Sequence, residues 1–153
     1  MQRLLHKKVD ILVAALSSPL LIGIYENDTL IKELCSDQKA SESLIAFLDE
    51  ISSEFVISSI TYANTPGSFM GLKVSYVILK TFCIAKNIGF WAVSGFELND
   101  FGAIRANKNL SFVYSKDGIS LQKIEQTDFK LPNNLSNLNK KCDTLPEYII
   151  DAI

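Results

Sequence analysis

The residue types and spacing with most chemical content lie in Pro66-Gly67-Ser68-Phe69-Met70-Gly71-Leu72-Lys73. Two glycines let the backbone come close to a neighbour, Ser68 is placed to cap a helix, and that helix's first N–H groups would face outward at the positive end of its dipole. Such a terminus can hold an anion; the plainer reading is a tight, well-capped corner between a strand and a helix. It is not a P-loop, because Gly67 and Gly71 enclose three residues and no Lys-Ser or Lys-Thr follows the second glycine. The acids Asp49, Glu50 and Glu54 fall on the expected outer face of another helix and read as solvated surface rather than as paired catalytic carboxylates.

Other chemistries find little support. His6 is the only histidine and sits in a charged N-terminal stretch, so a two-histidine zinc hydrolase is excluded and His6 is expected to be solvated. Cys35, Cys83 and Cys142 are odd in number and far apart, which points to reduced, mostly packed thiols in a reducing compartment and to no metal site. With 15 Lys plus Arg against 17 Asp plus Glu, scattered along the chain, independent tight binding of nucleic acid is not expected.

The chain is 153 residues long and 48% apolar, enough for a buried core. Arg3, Lys7 and Lys8 before the apolar run Ile11 to Ile24 mimic a signal peptide, but Asp10 at its entry and Ser17-Ser18-Pro19 in its middle favour strands. The apolar stretch from Met70 to Val93 is interrupted by Lys73, Lys80, Lys86 and Asn87 and falls short of a membrane span, so a soluble cytoplasmic protein is expected.

The elements that position the corner follow from periodicity and turn residues. Strands are expected at 9–16, 20–25 and 30–34, with turns at Ser17-Ser18-Pro19 and Glu26-Asn27-Asp28. A helix over 41–54 starts at Ser41 as N-cap and lines one face with Leu44, Leu48, Ile51 and Phe55. A strand at 56–62, a helix from Phe69 to Asn87 closed by Gly89, and a strand at 90–93 form a right-handed crossover, so the class is α/β with a mixed sheet. Shorter strands follow at 103–105, 111–114 and 119–124, with Lys116-Asp117-Gly118 as a hairpin turn. From about Gln126 the Asn-rich tail is expected to be loosely held until 145–153, where Tyr148, Ile149, Ile150 and Ile153 dock. Around the helix 69–87, Leu72, Val74, Val77, Ile78, Leu79, Phe82, Ile84 and Ala85 cover more of the circumference than one sheet face can bury. Either a second layer of the chain or another protein covers the surplus.

Residues 66–73 resemble the GPGSFTG-(Leu/Val)-Arg signature of the TsaB family, a YeaZ-like group within the glycoprotease-like superfamily. Ala92-Val93-Ser94-Gly95-Phe96-Glu97-Leu98 resembles the segment that follows it, and Ile11 to Asp28 resembles the family's I-L-A-I-D-T-S opening with its second strand. Ala103 to Tyr114 is similar to the start of the family's second half, and Pro146-Glu147-Tyr148 to its terminal P-x-Y. The resemblance implies an actin-like ATPase fold of ribonuclease-H-like lobes: here one full lobe at 1–98, a reduced second lobe at 99–125, and a polar tail at 126–153 with a docking C-terminus. It further implies a non-catalytic scaffold that activates TsaD, the transferase making threonylcarbamoyladenosine beside the tRNA anticodon, with the ATPase TsaE joining and tRNA met only through the complex. The implied pairing surface is made by Leu44 and Leu48 with Met70, Val74, Val77, Ile78, Lys80, Thr81 and Ile84. The signature loop, Pro66, Gly67, Ser68, Phe69, Gly71 and Lys73, would meet phosphate or nucleotide only inside the complex, and no cofactor or metal is expected on the isolated chain.

The departures from the family pattern bear on chemistry. The first-strand Asp falls on Ala15, followed by Leu16, so a carboxylate that would orient metal and phosphate has become a methyl group. The signature Arg is Lys73, which keeps the charge without the bidentate fork, and the signature Thr is Met70. Two other readings stand beside the scaffold: a degenerate ATPase or peptidase-like enzyme of the same fold, and a homodimeric module that binds nucleotide at residues 66–71.

Overall fold

The computed structural model describes residues 7–149, so the expectations for His6, Ile150 and Ile153 lie outside the described residues. The chain opens with β1 (Lys8–Ala14), β2 (Leu20–Glu26) and β3 (Thr29–Ser36), then α1 (Ala40–Glu54), β4 (Val56–Thr65), α2 (Phe69–Lys86) and β5 (Gly89–Ser94). These strands make one mixed sheet in the order β3-β2-β1-β4-β5, with β1–β2 and β2–β3 antiparallel and β1–β4 and β4–β5 parallel. A second, antiparallel sheet holds β6 (Ile104–Arg105), β7 (Ser111–Ser115) and β8 (Gly118–Gln122).

Strand β1 is apolar at nearly every position because both of its faces are covered. Val9, Ile11 and Val13 enter a core shared with Leu44, Leu48 and Ile51 of α1 and Leu79 and Cys83 of α2. Leu12 and Ala14 enter a second core with Phe96, Ile104, Phe112, Leu131 and Leu135. Helices thus cover one face of the sheet, and the small sheet with the tail covers the other. Asp49, Glu50 and Glu54 are exposed on α1, as their spacing predicts.

Helix ends depart from expectation in two places. Ser41 is not the N-cap of α1: the helix begins one residue earlier, Lys39 takes the cap position without a side-chain bond, and its carbonyl accepts from the N–H groups of Glu42 and Ser43. Gly89 does not close α2, because Asn87 already adopts the left-handed conformation (φ 55°) and donates its N–H to the carbonyls of Cys83 and Ile84, which frees Gly89 to start β5. Ser68 does cap α2, its Oγ accepting from the Gly71 N–H at 3.1 Å.

The tail is the larger correction. Residues 126–144 are not loose, because they are tied to both edges of the main sheet. The Leu30 N–H donates to the Asn133 carbonyl beside β3, and Ala92 and Lys141 exchange two backbone bonds beside β5. Leu131 and Leu135 are buried, and the Tyr25 hydroxyl donates to the Pro132 carbonyl at 2.7 Å. A polar tail therefore shields two edges that would otherwise offer unpaired backbone groups to another chain.

Cys83 is buried on α2, which pushes its thiol up to about 11 despite the opposing pull of Lys80, whereas Cys35 and Cys142 are exposed. Thiol labelling of the folded protein at pH 8 should therefore modify Cys35 and Cys142 and spare Cys83. Because folding raises this pKa, the thiol's contribution is complete below pH 9 and is lost as pH rises through about 11. Burial moves Tyr25 and Tyr62 in the same direction, so a denaturant titration should show stability falling above about pH 9 and level just below it.

Candidate functional site

Three segments converge where β1, β4 and β5 end: the turn after β1, the corner from Pro66 to Ser68, and the turn Gly95–Leu98 after β5. Leu16 is their common neighbour. A Cβ on Gly67 would lie 3.2 Å from Leu16 Cδ2 and 3.3 Å from Leu72 Cγ, and one on Gly95 would lie 2.1 Å from Leu16 Cδ1 and 3.0 Å from the Thr65 carbonyl oxygen. Leu16 packs closely on both backbones, leaving no room for a side chain at Gly95 and little at Gly67.

Beside Leu16 opens a cleft of about 550 Å³, bounded by Ala15 and Leu16, by Lys39 and Ala40 at the start of α1, and by Met70 and Val74 of α2. Among the described residues, Asp37 and Lys39 are its only charged lining residues. The position expected to be acidic in an active relative is thus a methyl group facing a mainly apolar cleft. Among the described residues, no three His, Cys, Asp or Glu side chains gather where they could hold a metal ion. Of the signature loop, Pro66 and Gly67 are buried, whereas Ser68 and Lys73 are exposed and Phe69 lies with its ring against Tyr148.

The residues expected to pair with a partner separate into two groups. Leu44 and Leu48 belong to the chain's own core at 0% and 3% exposure, so they do not present an outer surface, and Leu48 only floors a hollow between the helices. Lys80 turns toward β5, its Nζ 5.9 Å from the centre of the Phe90 ring. Met70, Val77 and Ile84, spaced seven apart along α2, are 63%, 51% and 68% exposed, and Thr81 is exposed beside them. Val74 and Ile78 are half-buried, Val74 lining the cleft and Ile78 the hollow of about 370 Å³ between α1 and α2.

Ile45 of α1, 55% exposed on the rim of that hollow, was missed by sequence reasoning. Its signal was an isoleucine outside the Leu44, Leu48, Ile51 face of an otherwise polar helix surface. The charges of the two helices are also segregated in sequence. Within α1 stand Glu42, Asp49, Glu50 and Glu54 with no cation, and within α2 stand Lys73, Lys80 and Lys86 with no acid.

Comparison with protein-family models and with curated proteins finds no match for the sequence. Among solved structures, the chain is similar to YeaZ from Pseudomonas aeruginosa, with a TM-score of 0.59 and 12% identity over 91% of this chain and 67% of that one. It is also similar to an uncharacterized protein with similarity to peptidase YEAZ from Pseudomonas aeruginosa, at a TM-score of 0.57 and 12% identity over 82% of this chain and 63% of that one. The fold is therefore that of YeaZ, over about two thirds of the length of these two proteins.

Proposed function

We propose that the protein is a TsaB-like, non-catalytic scaffold that docks on a TsaD-like transferase through the outer face of α1 and α2 and activates it for threonylcarbamoyladenosine synthesis on tRNA. The observation that carries the proposal is the uncovered row Met70, Val77 and Ile84 with Ile45 beside it, on the fold of YeaZ. Fully burying such side chains is worth roughly 1.5–3 kcal/mol each. A row of this kind on a chain of this size favours a permanent or recurrent partner.

In this reading the chain keeps one full actin-like lobe and a reduced second one, works in the cytoplasm, and meets tRNA only through the complex. Among the described residues no helix is long and apolar enough to cross a membrane. A TsaE-like ATPase completes the assembly, and ATP or ADP binds only at the interface between subunits. The methyl group of Ala15 and the apolar wall at Leu16 support an inert subunit, since the end of β1 offers no carboxylate to a triphosphate's cation and Asp37 is the one acid among the described residues that line the cleft. Charge segregation between the helices favours a partner that lays a basic helix over α1 and an acidic one over α2. Association is then faster at low ionic strength. A homodimer through the same face is the competing assembly.

The test is threonylcarbamoyl transfer to tRNA by the TsaD-like enzyme of the same organism, with and without the chain, beside calorimetry of the isolated chain with ATP. Stimulated transfer, with no turnover and no binding heat from the chain alone, is expected. Turnover by the isolated chain, lost in Lys73→Ala, would instead establish an enzyme. Binding heat without any partner would establish a nucleotide module.

A further inference from the structure

Two segments far apart in sequence, the corner at residues 66–73 and the terminal Pro146-Glu147-Tyr148, meet in the fold. After pairing with Ala92 at Lys141, the tail passes the β5 edge and is held by the end of β4. The buried Tyr62 hydroxyl donates to the Thr144 carbonyl, Asn64 Nδ2 donates to the Leu145 carbonyl at 2.8 Å, and the Glu147 N–H donates to the Asn64 carbonyl at 3.0 Å. This anchoring leaves Tyr148 against Phe69, with ring centres 4.6 Å apart and planes 30° apart.

Phe69 is the first residue of α2, immediately after the Ser68 cap, and is 55% exposed. The first turn of a helix lacks half of its backbone bonds and frays unless side chains hold it. Here Ser68 satisfies one N–H, and the Phe69 ring is steadied on one side by Tyr148. The next residue, Met70, is both a wall of the cleft and the first member of the exposed row on α2. We infer that Tyr148 is a positioning residue: through Phe69 it fixes the first turn of α2 and so the direction in which Met70 and the signature corner are presented. The inference rests on the scaffold reading for its consequence in docking, while the ordering of the corner stands by itself. The terminal P-x-Y is thereby the latch of the signature loop, built on a tail that β4 already holds in register.

The experiment is hydrogen exchange on the full chain, comparing Tyr148→Ala, Tyr148→Phe and Phe69→Ala, followed by titration of each variant with the TsaD-like transferase. An aromatic pair supports a change of about twofold to tenfold, so Tyr148→Ala should speed exchange of the Gly71 and Leu72 amides, both bonded to Ser68, by that factor and leave β1 and β4 unchanged. Tyr148→Phe should keep the wild-type pattern, because the ring and not the hydroxyl makes the contact. Phe69→Ala should loosen the same amides, which guards against a fault peculiar to the tail variant. Weakening of the complex by a similar factor in Tyr148→Ala, and not in Tyr148→Phe, is expected. Unchanged corner amides in folded Tyr148→Ala, a uniform rise across the sheet, or failure of Tyr148→Phe to restore the pattern would overturn the inference. A wild-type chain that binds no transferase would refute the scaffold reading, and the exchange data would still decide the latch.

Discussion

Gly95→Ala should destabilise the protein by about 3 kcal/mol, near the upper end of what overpacking a core costs. The added Cβ would stand 2.1 Å from Leu16 Cδ1, 3.0 Å from the Thr65 carbonyl oxygen and 3.3 Å from Ile104 Cδ1. Leu16, which also packs on Gly67, would have to turn its side chain away to make room. The Thr65 carbonyl belongs to β4 and cannot retreat without pulling the corner at Pro66. A loss of this size is a large fraction of the 5–15 kcal/mol typical of a whole domain, and it lowers the melting temperature by roughly 6–12 °C. Denaturant melts would register it as a lower midpoint at unchanged slope. Leu16→Ala alone should cost about 2–4 kcal/mol, but in the double variant the closest clash disappears, so the two losses should fall short of their sum by more than about 1 kcal/mol. Strict additivity would mean that Leu16 is not the joint between β1, the corner and the turn after β5.

Val77→Asp should abolish pairing with the transferase, weakening it by at least about a hundredfold, while the folded chain keeps its circular dichroism and melts within a few degrees of the wild type. The two effects separate because Val77 is half in water in the isolated chain, at 51% exposure, so the carboxylate costs little until a partner strips its hydration. It sits midway along the exposed row, between Met70 and Ile84, where a partner's cover would be most complete. Leu44→Asp is the contrasting control. At 0% exposure it would place a charge among β1, β2 and α2 side chains and should unfold the protein outright.

Much of this arrangement was legible in the residues. Local rules gave the hairpin of β1 and β2, the Ser68 cap, and the crossover from β4 through α2 to β5, since each depends on turn chemistry and hydrophobic period within a short window. The excess apolar surface of α2 could also be foreseen, because its circumference holds more aliphatic residues than one sheet face can cover. The partner-facing side could not. Leu44 and Leu48 turn inward with Ile51, as their spacing places them and against the pairing role that the resemblance implies, while the side of α2 left uncovered depends on contacts distant in sequence.

The tail was misread for a related reason. Its asparagines and lysines look solvated one by one, but its backbone finds partners along β3 and β5, and two leucines suffice to seat it. Polar composition tells little about a segment whose hydrogen bonds go to the edges of a sheet. The likeness of Pro146-Glu147-Tyr148 to a terminal motif was visible, whereas its meeting with Phe69 required the fold.

The most direct test of the uncovered face is the mass, by light scattering at low and moderate salt, of this chain mixed with the TsaD-like transferase of the same organism. A single species at the summed mass of one copy of each, weaker at higher salt and absent with Val77→Asp, is the expected result. Separate peaks at every ionic strength, or a complex indifferent to Val77→Asp, would contradict the account.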